Sequence, residues 1–269
     1  MMKLKQIIKI LKKRLLPLFK KDIQKITIDD QKIKYVHIDK GTPYTIVFEN
    51  GLGTGLSFWD SAFLELSKEH SVFAYSRPMK EELKIAKEGW QGNAEDVTND
   101  IKKVLDKCEV KAPYVLVGHS LGGLYVQLFA KAYPNSVKAI LLVDSTYPDE
   151  FADMEAMKVP PKLQKSWKYL SPNISYIGQG LLSFPITKQM PIMMLSALLN
   201  EDTEENPKWK EMIICVHKIQ EEYLSLYPWA KQVWVDSGHN IHFEKPEVVI
   251  EAIREIVKEV NIDNTKTNE

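Results

Sequence analysis

Cysteine is almost missing from this chain. Cys108 and Cys215 are the only two, and they lie far apart. That excludes a disulfide framework and a metal-ligand spacing, and it points to a reducing, cytoplasmic compartment. Net charge is missing as well: 36 Lys and Arg balance 36 Asp and Glu. The chain therefore lacks the basic excess with which proteins hold nucleic acid. No apolar run approaches the length of a membrane span. Internal repeats and low-complexity tracts are absent, and no residue pattern calls for a metal or an organic cofactor.

What is present suits one large soluble α/β domain. The 269 residues are 44% apolar and 27% charged, enough to bury a full core. Apolar runs that read as buried strands alternate with stretches of helical period. The strand candidates are 45–48, 71–75, 114–117, 138–144, 191–197 and 231–236, and the helical stretches are 57–68, 94–108, 121–133, 207–226 and 246–260. Strand and helix recurring with short links predict a parallel sheet covered on both faces. Residues 25–29 and 32–39 alternate apolar and polar around Asp29-Asp30-Gln31, so they predict an antiparallel hairpin.

The chain is organised around Tyr114-Val115-Leu116-Val117-Gly118-His119-Ser120-Leu121-Gly122-Gly123. An apolar strand turns directly into a helix at Gly118-His119-Ser120-Leu121-Gly122, a G-x-S-x-G. Such a turn forces the serine into a strained backbone and exposes its hydroxyl at the sheet edge. The glycines on either side let strand and helix approach. The helix behind the serine presents free N–H groups to a developing anion.

This stretch resembles the nucleophile elbow of the α/β-hydrolase fold family. The resemblance implies a mostly parallel eight-stranded sheet with helices on both faces and a small helical lid. It implies a serine hydrolase, carboxylesterase-like, with Ser120 as nucleophile. The base comes last in this family, and Gly238-His239-Asn240-Ile241-His242-Phe243-Glu244-Lys245-Pro246 is similar to its C-terminal catalytic loop, so His239 takes that role. The acid follows either the strand after the lid, near Asp202, or the strand after the nucleophile helix, at Asp144. Asp144 is favoured, because Asp144-Ser145-Thr146-Tyr147-Pro148-Asp149 resembles the Val-Asp-x-x-x-Pro run of one hydrolase subgroup. Glu49-Asn50-Gly51-Leu52-Gly53 is similar to the family's oxyanion loop, which assigns the oxyanion donors to the N–H groups of Leu52 and Leu121. The family often has His-Gly where this chain has Asn50-Gly51. It commonly has Asp-Arg-x-Gly where this chain has Ser76-Arg77-Pro78-Met79, so only Arg77 survives.

The expected organisation is a hydrolase core over 22–146 and 190–260, a lid insertion over 147–189 and a flexible tail over 261–269. Residues 1–21 set an apolar stripe against a basic face, with no acid before Asp22. Such a helix can lie on an anionic membrane surface or pack on a protein surface, and the sequence leaves both open. The expected partner is a small acyl substrate, with no nucleic acid and no cofactor; oligomeric state is not legible. The competing reading is a catalytically silent hydrolase-fold protein that binds a ligand or partner, against which Ser120 and His239 count.

Overall fold

The computed structural model describes residues 22–77, 93–150, 157–159, 174–183, 185–187, 190–199 and 207–266. The basic stretch 1–21, Asp202 and much of the expected lid lie outside these. Eight strands form one sheet: β1 Gln24–Ile28, β2 Gln31–Ile38, β3 Thr45–Glu49, β4 Ser71–Ser76, β5 Tyr114–His119, β6 Val137–Val143, β7 Ile192–Ala197 and β8 Lys231–Val235. Their order across the sheet is β1-β2-β4-β3-β5-β6-β7-β8. β1 and β2 form the antiparallel hairpin, β2 pairs antiparallel with β4, and every other pairing is parallel. The hairpin turns on Asp29 and Asp30, both at positive φ, 47° and 62°. Two left-handed residues give a turn whose twist matches that of the strands it joins.

The helices are α1 Asp60–Leu66, α2 Ala94–Lys107, α3 Leu121–Ala132, α4 Pro207–Leu226, α5 Ile241–Glu244 and α6 Pro246–Lys266. Residues 174–183, inside the expected lid, are also helical. The central strands are buried on both faces, which explains their unbroken apolar runs. Along β5, Tyr114 and Leu116 enter the core under α2 and α3. Val115 and Val117 enter the opposite core, with Trp59, Phe63, Ile253 and Val257 of the α1 and α6 side. α2 begins with a capping box: the Asn93 side chain accepts from the Asp96 N–H, and Asp96 accepts from the Asn93 N–H.

Two boundaries differ from the sequence expectation. The stretch 57–68 divides into a short 3-10 turn, Leu56–Phe58, and α1. The tail expected to be flexible from 261 instead continues α6 to Lys266. Once a helix is nucleated each further residue adds a hydrogen bond at little cost. No helix among the described residues is long and apolar enough to cross a membrane.

Strand order reverses at β3 and β5. The chain winds from β3 outward to β4 on one side, and from β5 outward to β8 on the other. The carboxyl ends of β3 and β5 therefore open a crevice, the usual ligand position in open α/β sheets.

Candidate active site

Ser120 stands at that crevice, between β5 and α3, with φ 51° and ψ −124°. A non-glycine residue at this φ is strained and is held only where its surroundings over-determine it. They do so here. The Ser120 N–H donates to the Val143 carbonyl (3.1 Å), and its carbonyl accepts from Gly123 N–H (2.9 Å) and Thr146 N–H (3.0 Å). The glycines have steric causes. A Cβ on Gly118 would meet the Gly122 carbonyl oxygen at 2.6 Å, and one on Gly122 would meet the Asn50 carbonyl oxygen at 2.4 Å. Among the described residues, the hydrogen bonds of Ser120 run through its backbone, which leaves the hydroxyl at the crevice.

Asp144 follows β6, also at positive φ (41°). Its carboxylate is buried, with Oδ1 accepting from the Ala197 N–H at 2.9 Å. Oδ2 accepts from His239 Nδ1 at 2.6 Å. Because a carboxylate can only accept, the proton of the neutral imidazole sits on Nδ1 and Nε2 carries a lone pair. The His239 side chain is 49% exposed, against 4% for Asp144. Burial works against the imidazolium, but the hydrogen bond and charge of Asp144, with Glu150 and Glu244 behind, outweigh it and hold the His239 pKa above its ordinary value. Gly238 N–H donates to Glu244 Oε2 at 2.8 Å, closing the short loop that carries His239.

His119 holds that loop from below. Its Nε2 donates to the His239 carbonyl at 3.0 Å. The ring packs at a tilt against His242 (centroids 4.2 Å) and His239 (4.7 Å), and His242 packs at a tilt against Trp59 (4.5 Å). Burial, then the neighbouring His242 and His239, keeps His119 neutral well below the usual imidazole range. His242 is pushed down to about 3 by burial and by His239. Both rings are therefore uncharged packing surfaces at neutral pH. Sequence spacing brings His242 near the loop but gives no sign that His119 reaches around to it.

The loop after β3 completes the crevice. Leu52 is half-buried, and a Cβ on Gly51 would stand 2.7 Å from His119 Nδ1 and 3.3 Å from Ser120 Cβ. Leu121 is the first residue of α3, so its N–H has no acceptor within the helix. Arg77 donates to the carbonyls of Asn50 (2.7 Å) and Gly51 (2.9 Å) and pairs with the Glu49 carboxylate. The structure thus brings Ser120, His119, Gly51 and the Asp144–His239 pair to one end of the sheet. Asp202 lies outside the described residues.

Two features here are not legible in the sequence. Burial pushes the Glu150 carboxyl up to about 7, with Asp144 adding to it; the Tyr147 N–H it accepts at 3.0 Å works the other way. A buried polar network also ties the loop after Asp144 to α4. Tyr223 Oη donates to the Thr146 carbonyl (2.7 Å) and shares a bond with Ser145 Oγ (2.9 Å), while Gln220 Nε2 donates to the Ser145 carbonyl (2.8 Å). No group of three or more ligating side chains poised for a metal occurs among the described residues.

Comparison with known proteins agrees with the fold. Residues 44–171 match the family model described as alpha/beta hydrolase fold. The uncharacterized protein YqjL of Bacillus subtilis is 24% identical over 250 residues, covering 86% of this chain and 90% of that protein. MGS-MChE2, an alpha/beta hydrolase from a sediment metagenome of the Mar Chica lagoon, Morocco, superposes with a TM-score of 0.62. It is 19% identical and covers 88% of this chain and 99% of that one. The naproxen esterase (carboxylesterase NP) of Bacillus subtilis superposes with a TM-score of 0.57 at 15% identity, covering 87% and 90%.

Proposed function

As a protein of the α/β-hydrolase fold, this chain, we propose, is a serine hydrolase that cleaves a carboxylic ester with Ser120, His239 and Asp144. The observation that carries the reading is the 2.6 Å bond from His239 Nδ1 to a buried Asp144 carboxylate. A hydroxyl is a poor nucleophile at neutral pH and needs an oriented base. The Asp144 bond fixes the tautomer that leaves Nε2 able to take a proton.

His239 Nε2 removes the Ser120 proton while Oγ attacks the acyl carbonyl. The N–H groups of Leu52 and Leu121 hold the resulting oxyanion. When the tetrahedral species collapses, the bond to the leaving alkoxy group breaks and His239 returns the proton to it. Water then attacks the acyl-enzyme while His239 takes its proton, and as this second tetrahedral species collapses the bond to Ser120 Oγ breaks, His239 returns the proton to that oxygen, and the carboxylic acid leaves. Strain at Ser120 and Asp144 fits this reading, because such backbone conformations gather at sites that need fixed geometry.

A fluorophosphonate probe tests the reading. The folded wild type should be labelled at Ser120, and Ser120→Ala should take no label. An aryl-ester panel graded by acyl length should show turnover that Ser120→Ala and His239→Ala reduce by orders of magnitude. Folded wild-type protein that neither labels nor turns over any ester would instead be a ligand- or partner-binding protein on this fold.

A further inference from the structure

We propose that Arg77 is a positioning residue whose guanidinium aims the Leu52 N–H at the oxyanion by holding the carbonyl at the other end of the same peptide. This rests on the hydrolase reading above.

Arg77 follows β4, which lies parallel to β3 with Phe48 opposite Ala74. The guanidinium therefore arrives beside the loop that leaves β3. Nη1 donates to the Asn50 carbonyl (2.7 Å) and pairs with the Glu49 carboxylate, and Nη2 donates to the Gly51 carbonyl (2.9 Å). The other Glu49 oxygen accepts from the Tyr75 hydroxyl, and Asn50 Nδ2 donates to the Tyr75 carbonyl. Thr54 Oγ1 adds a second bond to the Gly51 carbonyl, at 2.9 Å. From the far side the guanidinium lies 5.2 Å from the centre of the Tyr125 ring, on the helix behind Ser120. One planar group thus fixes two successive carbonyls and is itself fixed on several sides.

The consequence follows from peptide geometry. In a planar trans peptide the carbonyl and the N–H point in opposite directions. With the Gly51 oxygen turned to Arg77, the Leu52 N–H is turned away from it. The loop abuts the nucleophile, since a Cβ on Gly51 would stand 3.3 Å from Ser120 Cβ. A charged donor on the carbonyl also polarises the amide and strengthens its N–H as a donor. Glu49 is 1% exposed, and a buried ion pair is weak evidence for stability by itself. Here its arrangement fits the task of placing one backbone donor.

Lysine keeps the charge opposite Glu49 but is a single point charge that cannot reproduce the fork. Arg77→Lys should therefore fold with a melting temperature near wild type. Its kcat on an aryl ester should fall about 10- to 100-fold, at or below the loss from deleting one oxyanion donor, with KM changed by less than about threefold. An arylboronic acid, which forms a tetrahedral anionic adduct on serine, should lose affinity by the same factor as kcat. Guanidinium ion added to Arg77→Ala should restore part of the lost kcat, and urea should not. If Arg77→Lys fails to fold, Glu49→Gln/Arg77→Met removes both buried charges together and should show the same parallel loss. A folded variant of either kind with wild-type kcat overturns the proposal. So does a kcat loss with unchanged boronate affinity, or a loss confined to KM. A wild type with no Ser120-dependent turnover overturns the hydrolase reading and this inference together, whereas an active wild type with indifferent Arg77 variants overturns this inference alone.

Discussion

Replacing His242 by phenylalanine removes a buried base that the fold can hold only uncharged. The residue is 2% exposed, and both ring nitrogens lack a hydrogen-bond partner among the described residues. Burial and the neighbouring His239 bring its pKa to about 3, whereas in the unfolded chain it titrates near ~6.5. For a base depressed in the fold, the unfolded chain takes up the proton first. The stability it contributes is thus complete above about 6.5 and is lost as pH falls towards the folded value. Between pH 7.5 and pH 5 this linkage costs about 2 kcal/mol. The wild-type profile alone conceals the effect. Asp60, raised to about 6, and Glu150, raised to about 7, take up protons in the fold and act in the opposite direction. The difference between wild type and His242→Phe cancels them. Phenylalanine also keeps an aromatic ring against Trp59 and removes the two unpaired ring nitrogens at this position. Urea melts at both pH values should show the variant gaining about 2 kcal/mol on wild type on going from pH 7.5 to pH 5. A stability difference that is the same at both pH values refutes the reasoning.

Three further outcomes are expected. Asp144→Asn should lower kcat/KM by about 10³- to 10⁴-fold. Because Asp144 helps hold the His239 pKa up, the acid limb of the remaining activity should move to lower pH, and a pH–rate profile in which the limb stays put counts against the pairing. Gly178→Ala puts a Cβ 1.7 Å from the Pro148 carbonyl oxygen, so helix 174–183 must move off the loop after Asp144. Calorimetry should register a loss of roughly 1–3 kcal/mol. Tyr223→Phe deletes the hydroxyl on the Thr146 carbonyl and Ser145 Oγ. Denaturant melts should show a cost of about 1–3 kcal/mol, and ester turnover should fall with it as the Asp144 loop loosens.

The sheet was legible because its central strands are buried on both faces and so appear as uninterrupted apolar runs. The tight turn at Ser120 was legible because steric demand writes glycine at fixed offsets. Asp144 could be singled out because it ends a strand of clear register. The supports around these residues were not legible, because they join segments far apart in the chain. His119 reaches the carbonyl of His239 across 120 positions, and no local pattern encodes that. Arg77 is visible as the one residue that matches the resembled turn, but its partners Glu49 and Tyr75 become meaningful only when β3 and β4 are laid side by side. A buried Glu at the end of one strand, with an Arg just past the end of the next, is the signal that could have found the pair. The run of α6 past Val260 to Lys266 is not legible, because the residues there are polar and polarity alone does not end a helix that is already propagating.

The carboxylate that grips His239 has a consequence for how a chain of this fold can vary. It stands at the tip of β6, so the connection between β7 and α4 holds none of the three side chains proposed to react. That connection can lengthen, shorten or change composition over evolutionary time without disturbing the reacting groups. Its sequence can therefore diversify independently of the chemistry performed.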